Sequence, residues 1–272
     1  KSALEGIQVT IAIALTSWVI SILLGIILGV LSTDLFWKSI TSFSFLGKFL
    51  KYGLAIPRSI HEVIWGILFI QIFGLNIWVA IISIVIPYSA LTARVISEQL
   101  DGFNIETLIA LRQTGSFPMS SFITILLPKL IPILSTYGSY RLECAIRGAT
   151  LLGIFGLGGI GTELYLTLKS MEFREMWTYL WILGLFMILL EKSIRYSRIN
   201  IFNDSNLKKS ILMSKSIFLL SLSIGLVSLY RLGFDMHIPL NYTYLSLPSF
   251  MEIRSAFSDL NLVKLITTTI II

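Results

Sequence analysis

Charged residues are scarce: Asp, Glu, Lys and Arg make up 13% of the 272 residues, against 55% hydrophobic. A soluble domain of this length spreads far more charge over its surface, so the apolar excess has to face lipid or other helices. A single cysteine, Cys144, excludes an internal disulfide framework and a thiolate metal cluster. Two histidines, His61 and His237, are too few for a histidine-rich metal site. No G-x-x-x-x-G-K-[ST] occurs, so the chain does not bind ATP through a P-loop. Clustered His, Asp or Glu at one membrane depth, which an intramembrane enzyme such as a lipid-modifying transferase would need, is also missing. The net charge of +6 would suit nucleic acid if the basic residues formed a stripe. They sit between apolar runs instead, where the positive-inside bias accounts for them.

What is present is a series of apolar runs, with a mean hydropathy of +0.85. A helix needs about 20 apolar residues to cross the hydrocarbon core. The runs predict spans over Ile7–Ser32, Ile60–Leu75, Trp78–Ser97, a Pro-interrupted stretch from Phe122 to Tyr140, Met176–Ile194 and Leu212–Leu229, with another starting near Leu262. The glycine-rich run from Leu151 to Ile160 is too short to span and reads as a bend or re-entrant element. The first run is too long, and too poor in small-residue cleavage signals, for a signal peptide. The chain starts at Lys1 and ends in an apolar run, and is read as an excerpt of a longer protein.

Arg195, Arg198, Lys208, Lys209 and Lys215 put the link after Met176–Ile194 on the cytoplasmic side. Counting back two spans at a time makes the loop 98–121 cytoplasmic, and then the link that carries Lys38, Lys48, Lys51 and Arg58. Trp18, Trp37, Trp65, Trp78, Trp177 and Trp181 fall mostly near helix ends and read as an interfacial belt. Pro128 and Pro132 are expected to kink the span that holds them.

The loop 98–121 is the most informative segment. It runs Ile105-Glu106-Thr107-Leu108-Ile109-Ala110-Leu111-Arg112-Gln113-Thr114-Gly115, then Ser116-Phe117-Pro118, and re-enters the membrane through Ile125-Leu126-Leu127-Pro128. Ile105, Leu108, Ile109 and Leu111 share one side of a short amphipathic helix. The spacing from Ala110-Leu111 to Gly115, Ile125 and Leu127-Pro128 resembles the EAA loop of type I ABC importer permeases. Ile109 stands where that pattern has Glu, and Leu111 where it has the second Ala. The resemblance implies a coupling helix that docks on the ATPase through Glu106, Ile109, Ala110, Leu111, Arg112, Gln113, Thr114, Gly115, Phe117 and Pro118. A glycine there can take the left-handed conformation that ends a helix. An ordinary interfacial helix is the plainer alternative.

Pro57-Arg58-Ser59-Ile60-His61-Glu62-Val63-Ile64-Trp65, Tyr140-Arg141-Leu142-Glu143 and Arg147-Gly148-Ala149-Thr150 through Gly161 resemble the phosphonate transporter permeases, whose relatives also carry phosphite. The resemblance covers about Ser2 to Ile199. It implies an all-α polytopic membrane helical bundle with a type I ABC importer permease (MetI-like) core at 1–200. Residues 201–272 would add a cytoplasmic linker, an extra helix, an external segment and the start of a second repeat. It further implies alternating access driven by separate ATPase subunits in the bacterial cytoplasmic (inner) membrane, with an external substrate-binding protein and a second permease half. No cofactor is expected on this chain; ATP and Mg would belong to the ATPases. A methionine or quaternary-amine permease, or an ion-coupled secondary transporter, are the alternatives.

Arg58, Glu62, Arg141, Glu143 and Arg147 lie at or inside span boundaries, where ionisable groups are costly and face a cavity or one another. Either they form a polar path whose arginine forks suit a phosphonate dianion, or Arg141, Glu143 and Arg147 pair among themselves. Gly156-x-Gly158-x-x-Gly161 matches a dinucleotide fingerprint formally, but that motif needs a preceding strand in a βαβ unit. Gly156, Gly158, Gly159 and Gly161 instead suit close helix packing or a gate near the outer mouth. The terminal stretch Val263–Ile272 aligns without gaps on Leu4–Ile13, with Ile7, Thr10, Ile11 and Ile13 recurring as Ile266, Thr269, Ile270 and Ile272. That suggests a fusion of two permease copies.

Overall fold

The computed structural model describes residues 2–34, 36, 37, 45–102, 113, 115, 118–203, 223, 224, 227 and 230, with the backbone alone at 2, 118–129, 131, 132, 135, 194 and 196–203. The described residues form helices and no strand: α1 Ser2–Leu31, α2 Phe45–Gly53, α3 Ala55–Ser59, α4 Glu62–Phe73, α5 Ile77–Asp101, α6 Pro118–Leu152, a π-helical turn Gly153–Leu157, α7 Ile160–Lys169 and α8 Phe173–Asn203. Ser223, Ile224 and Val227, from the expected extra helix Leu212–Leu229, and Tyr230 just past it are helical too.

α1, α5 and the Phe173–Ser193 portion of α8 are each long and apolar enough to cross a membrane unaided, and two bent helix pairs complete the set. The chain is therefore a multi-pass membrane protein. Two of the expected spans take a different form. Ile60–Leu75 is not a simple span: α4 is 12 residues long and meets the Phe45–Ser59 segment at 84°. The stretch expected to end at Tyr140 continues to Leu152 as one 35-residue helix. The glycine-rich run then bends the chain by 48° into α7, as its composition predicts.

α1 and α5 form the centre of the bundle, with α6 against both. Gly25 and Gly29 let α1 lie directly on α5: a Cβ at Gly25 would come within 2.5 Å of the Thr92 Cβ, and one at Gly29 within 2.8 Å of the Ile96 Cβ. Without a hydrophobic driving force between helices in lipid, such small-residue contacts hold a bundle through close van der Waals approach. Ile13, Val19, Ile81, Ile84, Ala145 and Leu152 fill the core around this seam. At one end of the bundle Lys51 Nζ meets Asp101 Oδ2 at 2.9 Å. The link after α1 and the end of α5 thus lie together, as the loop charges require.

Trp18 departs from the interfacial belt. It is buried in the middle of α1 and its Nε1 donates to the carbonyl of Gly138 on α6 at 2.7 Å. Loss of one such hydrogen bond costs about 1 kcal/mol. Trp18→Phe should accordingly lower the thermal unfolding midpoint of the detergent-solubilised chain by a few degrees, measured by intrinsic fluorescence; an unchanged midpoint would show the bond to be dispensable.

Candidate functional site

The break between α3 and α4 builds the site. Ile60 takes an extended backbone (φ −100°, ψ 127°) and ends α3. His61, also extended, caps α4, its Nδ1 accepting from the Val63 N–H at 3.4 Å. Trp65 Nε1 reaches back across the break to donate to the Pro57 carbonyl at 3.4 Å, tying the two arms. Arg58 is left on one arm and Glu62 on the other. α5 faces the break with Pro87 and Tyr88, and Pro87, lacking an N–H, interrupts the ladder of α5 there. α6 presents Arg141, Cys144, Arg147 and Leu151. Together these residues line a cavity of about 370 Å³.

Four of the five predicted path residues, Arg58, Glu62, Arg141 and Arg147, line this cavity, and Glu143 does not. Glu143 ion-pairs with Arg147 one helical turn on, as their spacing suggests. Arg141 does not join that pair, which corrects the expectation that all three would pair together. Its guanidinium lies 5.0 Å from the ring centres of Tyr88 and Tyr137 and 5.8 Å from that of Tyr140, and its Nε donates to the Tyr137 hydroxyl at 2.7 Å. Ring faces hold an arginine by their negative quadrupole without neutralising it. Among the described residues, neither Arg141 nor Arg58 has a carboxylate in ion-pair range.

Glu62 is buried to 8% exposure. The Tyr88 hydroxyl donates to its Oε1 at 3.3 Å, and His61 Nε2 lies 3.4 Å from its Oε2. Gly148 of α6 leaves room for the carboxylate, since a Cβ there would stand 3.2 Å from Oε1. Tyr88 therefore joins the two charged centres, its hydroxyl on Glu62 and its ring on Arg141. Tyr88, Tyr137, Tyr140 and His61 were not anticipated as site residues. The four-residue spacing of Tyr137 and Arg141 was a signal for one of them. Nothing in the sequence points from Tyr88 to a residue 53 positions away.

The four predicted gate glycines lie apart from this cavity and divide by role. Gly156, Gly158 and Gly159 have φ of 87°, 97° and 91°, the left-handed region where glycine is at home. Gly161 is a packing glycine: a Cβ there would overlap the Thr150 carbonyl oxygen. At the start of α7 the Ile160 N–H donates to Thr10 Oγ1 of α1 at 3.0 Å.

In the predicted coupling loop, Glu106, Ile109, Ala110, Leu111, Arg112, Thr114 and Phe117 lie outside the described residues. Gln113 is helical and exposed, and Pro118 opens α6. Gly115 has φ 86°, so it takes the left-handed conformation that helix termination calls for.

No family model matches the chain. In sequence it is similar to the phosphite transport system permease protein PtxC of Stutzerimonas stutzeri, 28% identical over 119 residues that are 44% of this chain and 43% of that one. It is also similar to the phosphate-import permease protein PhnE of Mycolicibacterium smegmatis, 23% identical over 164 residues, 60% of this chain and 30% of that one. The match thus spans less than half the length of either. In structure it resembles a chain of the MetNI methionine ABC transporter in its inward-facing conformation, with a TM-score of 0.62 and 20% identity, covering 72% of this chain and 94% of that one. Its homologues are phosphite and phosphonate transport permeases, and its fold is that of the MetI-type ABC permeases.

Proposed function

We propose that the chain is the transmembrane permease subunit of an ABC importer in the bacterial inner membrane, taking up phosphonate, phosphite or a related phosphorus oxyanion by alternating access. The observation that carries the substrate class is the cavity itself, where Arg58 and Arg141 offer guanidinium donors that no carboxylate among the described residues occupies. Arginine forks match the oxygens of phosphorus oxyanions. Relatives that transport phosphite and import phosphate support the same class.

ATP hydrolysis then resides in separate ATPase subunits that bind ATP and Mg and engage the loop around Ala110 and Gly115. A substrate-binding protein delivers the anion from outside, and a second permease half completes the pore. A fused second copy is supported by the terminal repeat of Leu4–Ile13 and by a relative of which 164 aligned residues are only 30%. The bend around Gly156, Gly158 and Gly159 would serve as the outer gate, where three left-handed glycines let α7 swing without side-chain clash.

Reconstituted with its ATPase and binding protein in proteoliposomes, the assembly should hydrolyse ATP faster on addition of methylphosphonate or phosphite. Charge-assisted hydrogen bonds contribute about 1.5–3 kcal/mol each, so Arg141→Ala should raise the half-stimulating concentration about tenfold or more. Stimulation by methionine or a quaternary amine alone would overturn the substrate class. Uptake that proceeds without any ATPase would replace the importer by a secondary transporter.

A further inference from the structure

We propose that Glu62 makes the cavity selective for oxyanions that keep a protonated oxygen, a P–OH, over fully ionised ones such as sulfate. The inference deepens the proposed function and rests on its reading of the cavity as an anion site.

Glu62 is an unusual neighbour for an anion. It is a buried carboxylate on the wall of an arginine-lined cavity inside a membrane protein, where an ionised side chain is costly and tends to carry function. The ordinary explanation would be charge balance for an arginine. No direct pairing of that kind is made: none of Arg58, Arg141 and Arg147 lies in ion-pair range of Glu62, and Arg147 already has Glu143. Arg141 is held by tyrosine rings instead. What holds Glu62 is lighter, one hydroxyl from Tyr88 on Oε1 and the His61 imidazole near Oε2. Each carboxylate oxygen has a second acceptor position, and the residue lines the cavity.

An ionised carboxylate only accepts hydrogen bonds, and so does sulfate. Placed together they repel, with both acceptors unanswered. A phosphonate, phosphite or phosphate that retains one proton can turn its P–OH to Glu62 and its ionised oxygens to Arg58 and Arg141. The carboxylate then gains a donor, and the arginines gain their anion. A site that pairs with a ligand hydroxyl rejects the analogue lacking it strongly, because the buried group is left without a partner. Tyr88 would be a positioning residue in this scheme, since its hydroxyl fixes the carboxylate while its ring fixes Arg141.

The test is equilibrium binding of inorganic phosphate and of sulfate to the full chain in lipid nanodiscs at neutral pH. The unaltered protein should prefer phosphate by about tenfold or more. In Glu62→Gln, which keeps an acceptor for Tyr88 but removes the charge, the two affinities should move in opposite directions. Sulfate should tighten and phosphate weaken, bringing the ratio close to one. A purely structural role for Glu62 would shift both anions the same way, and that result would overturn the inference. A comparison on the unaltered chain does not depend on the variant's folding: methylphosphonate should outcompete its monomethyl ester, a monoanion without P–OH. Equal binding of phosphate, sulfate and ester would sink the selectivity while leaving the anion site intact. Failure of all three to bind would remove the anion site itself.

Discussion

Replacing Gly115 with valine is expected to abolish ATP-driven uptake while the chain still inserts into the membrane. Gly115 has φ 86°, with nothing among the described residues within 4 Å of where its Cβ would stand, so the penalty comes from the backbone. An L-residue in the left-handed region costs about 1–2 kcal/mol, and a β-branched one is a marked outlier there. Each 1.4 kcal/mol is about a factor of ten in population, so the loop would spend most of its time outside the shape that Gly115 now terminates. Asparagine tolerates left-handed φ better than other side chains. Gly115→Asn should thus retain much of the uptake that Gly115→Val loses. Uptake in proteoliposomes, with co-purification of the ATPase as second readout, checks both. Wild-type transport by the valine variant would remove this loop from the coupling path.

Valine at Gly161 should instead act on the fold and lower the yield of folded protein. A Cβ at this position would overlap the Thr150 carbonyl oxygen and stand 2.9 Å from the Ile154 nitrogen and 3.0 Å from the Gly153 carbonyl carbon. All three are backbone atoms of the preceding helix and turn, so no rotamer change relieves the overlap. Overpacking a tight contact typically costs 1–3 kcal/mol, and rigid backbone on both sides puts this case at about 3 kcal/mol or more. Against a total stability of about 5–15 kcal/mol, that is enough to lower the yield of folded protein severalfold. Gly184→Ala on α8, where nothing among the described residues lies within 4 Å, is the matched control and should be silent. Monodisperse yield in size-exclusion chromatography reads the difference.

Most of the helices were legible in the sequence because an apolar run of membrane length has few alternatives once water is excluded. α1 and α5 lie close to the runs that predicted them. The errors came where a run was short or interrupted. Ile60–Leu75 has the composition of a span, yet it holds only the 12-residue α4, which the His61 cap starts afresh after a break and the Trp65 bond to Pro57 ties back to the preceding arm. The apolar run holding Pro128 and Pro132 suggested an end near Tyr140, but both prolines lie inside a helix that goes on to Leu152. A proline's ring sets its own φ and removes one donor; whether the chain continues beyond it depends on packing, which composition does not contain.

Arg58, Glu62, Arg141, Glu143 and Arg147 could be picked out by cost alone, since ionisable groups within apolar runs are rare and demand a reason. Local spacing also determined the Glu143–Arg147 pair, because four residues on a helix put two side chains side by side regardless of what surrounds them. Only the tertiary structure decided that Arg141 rests on tyrosines from two helices and that Glu62 meets Tyr88. The physical reason is one of range. Helical periodicity fixes which residues share a face within a few turns, whereas the pairing of faces comes from close approach at points such as Gly25, Gly29 and Gly148, and that depends on every helix at once.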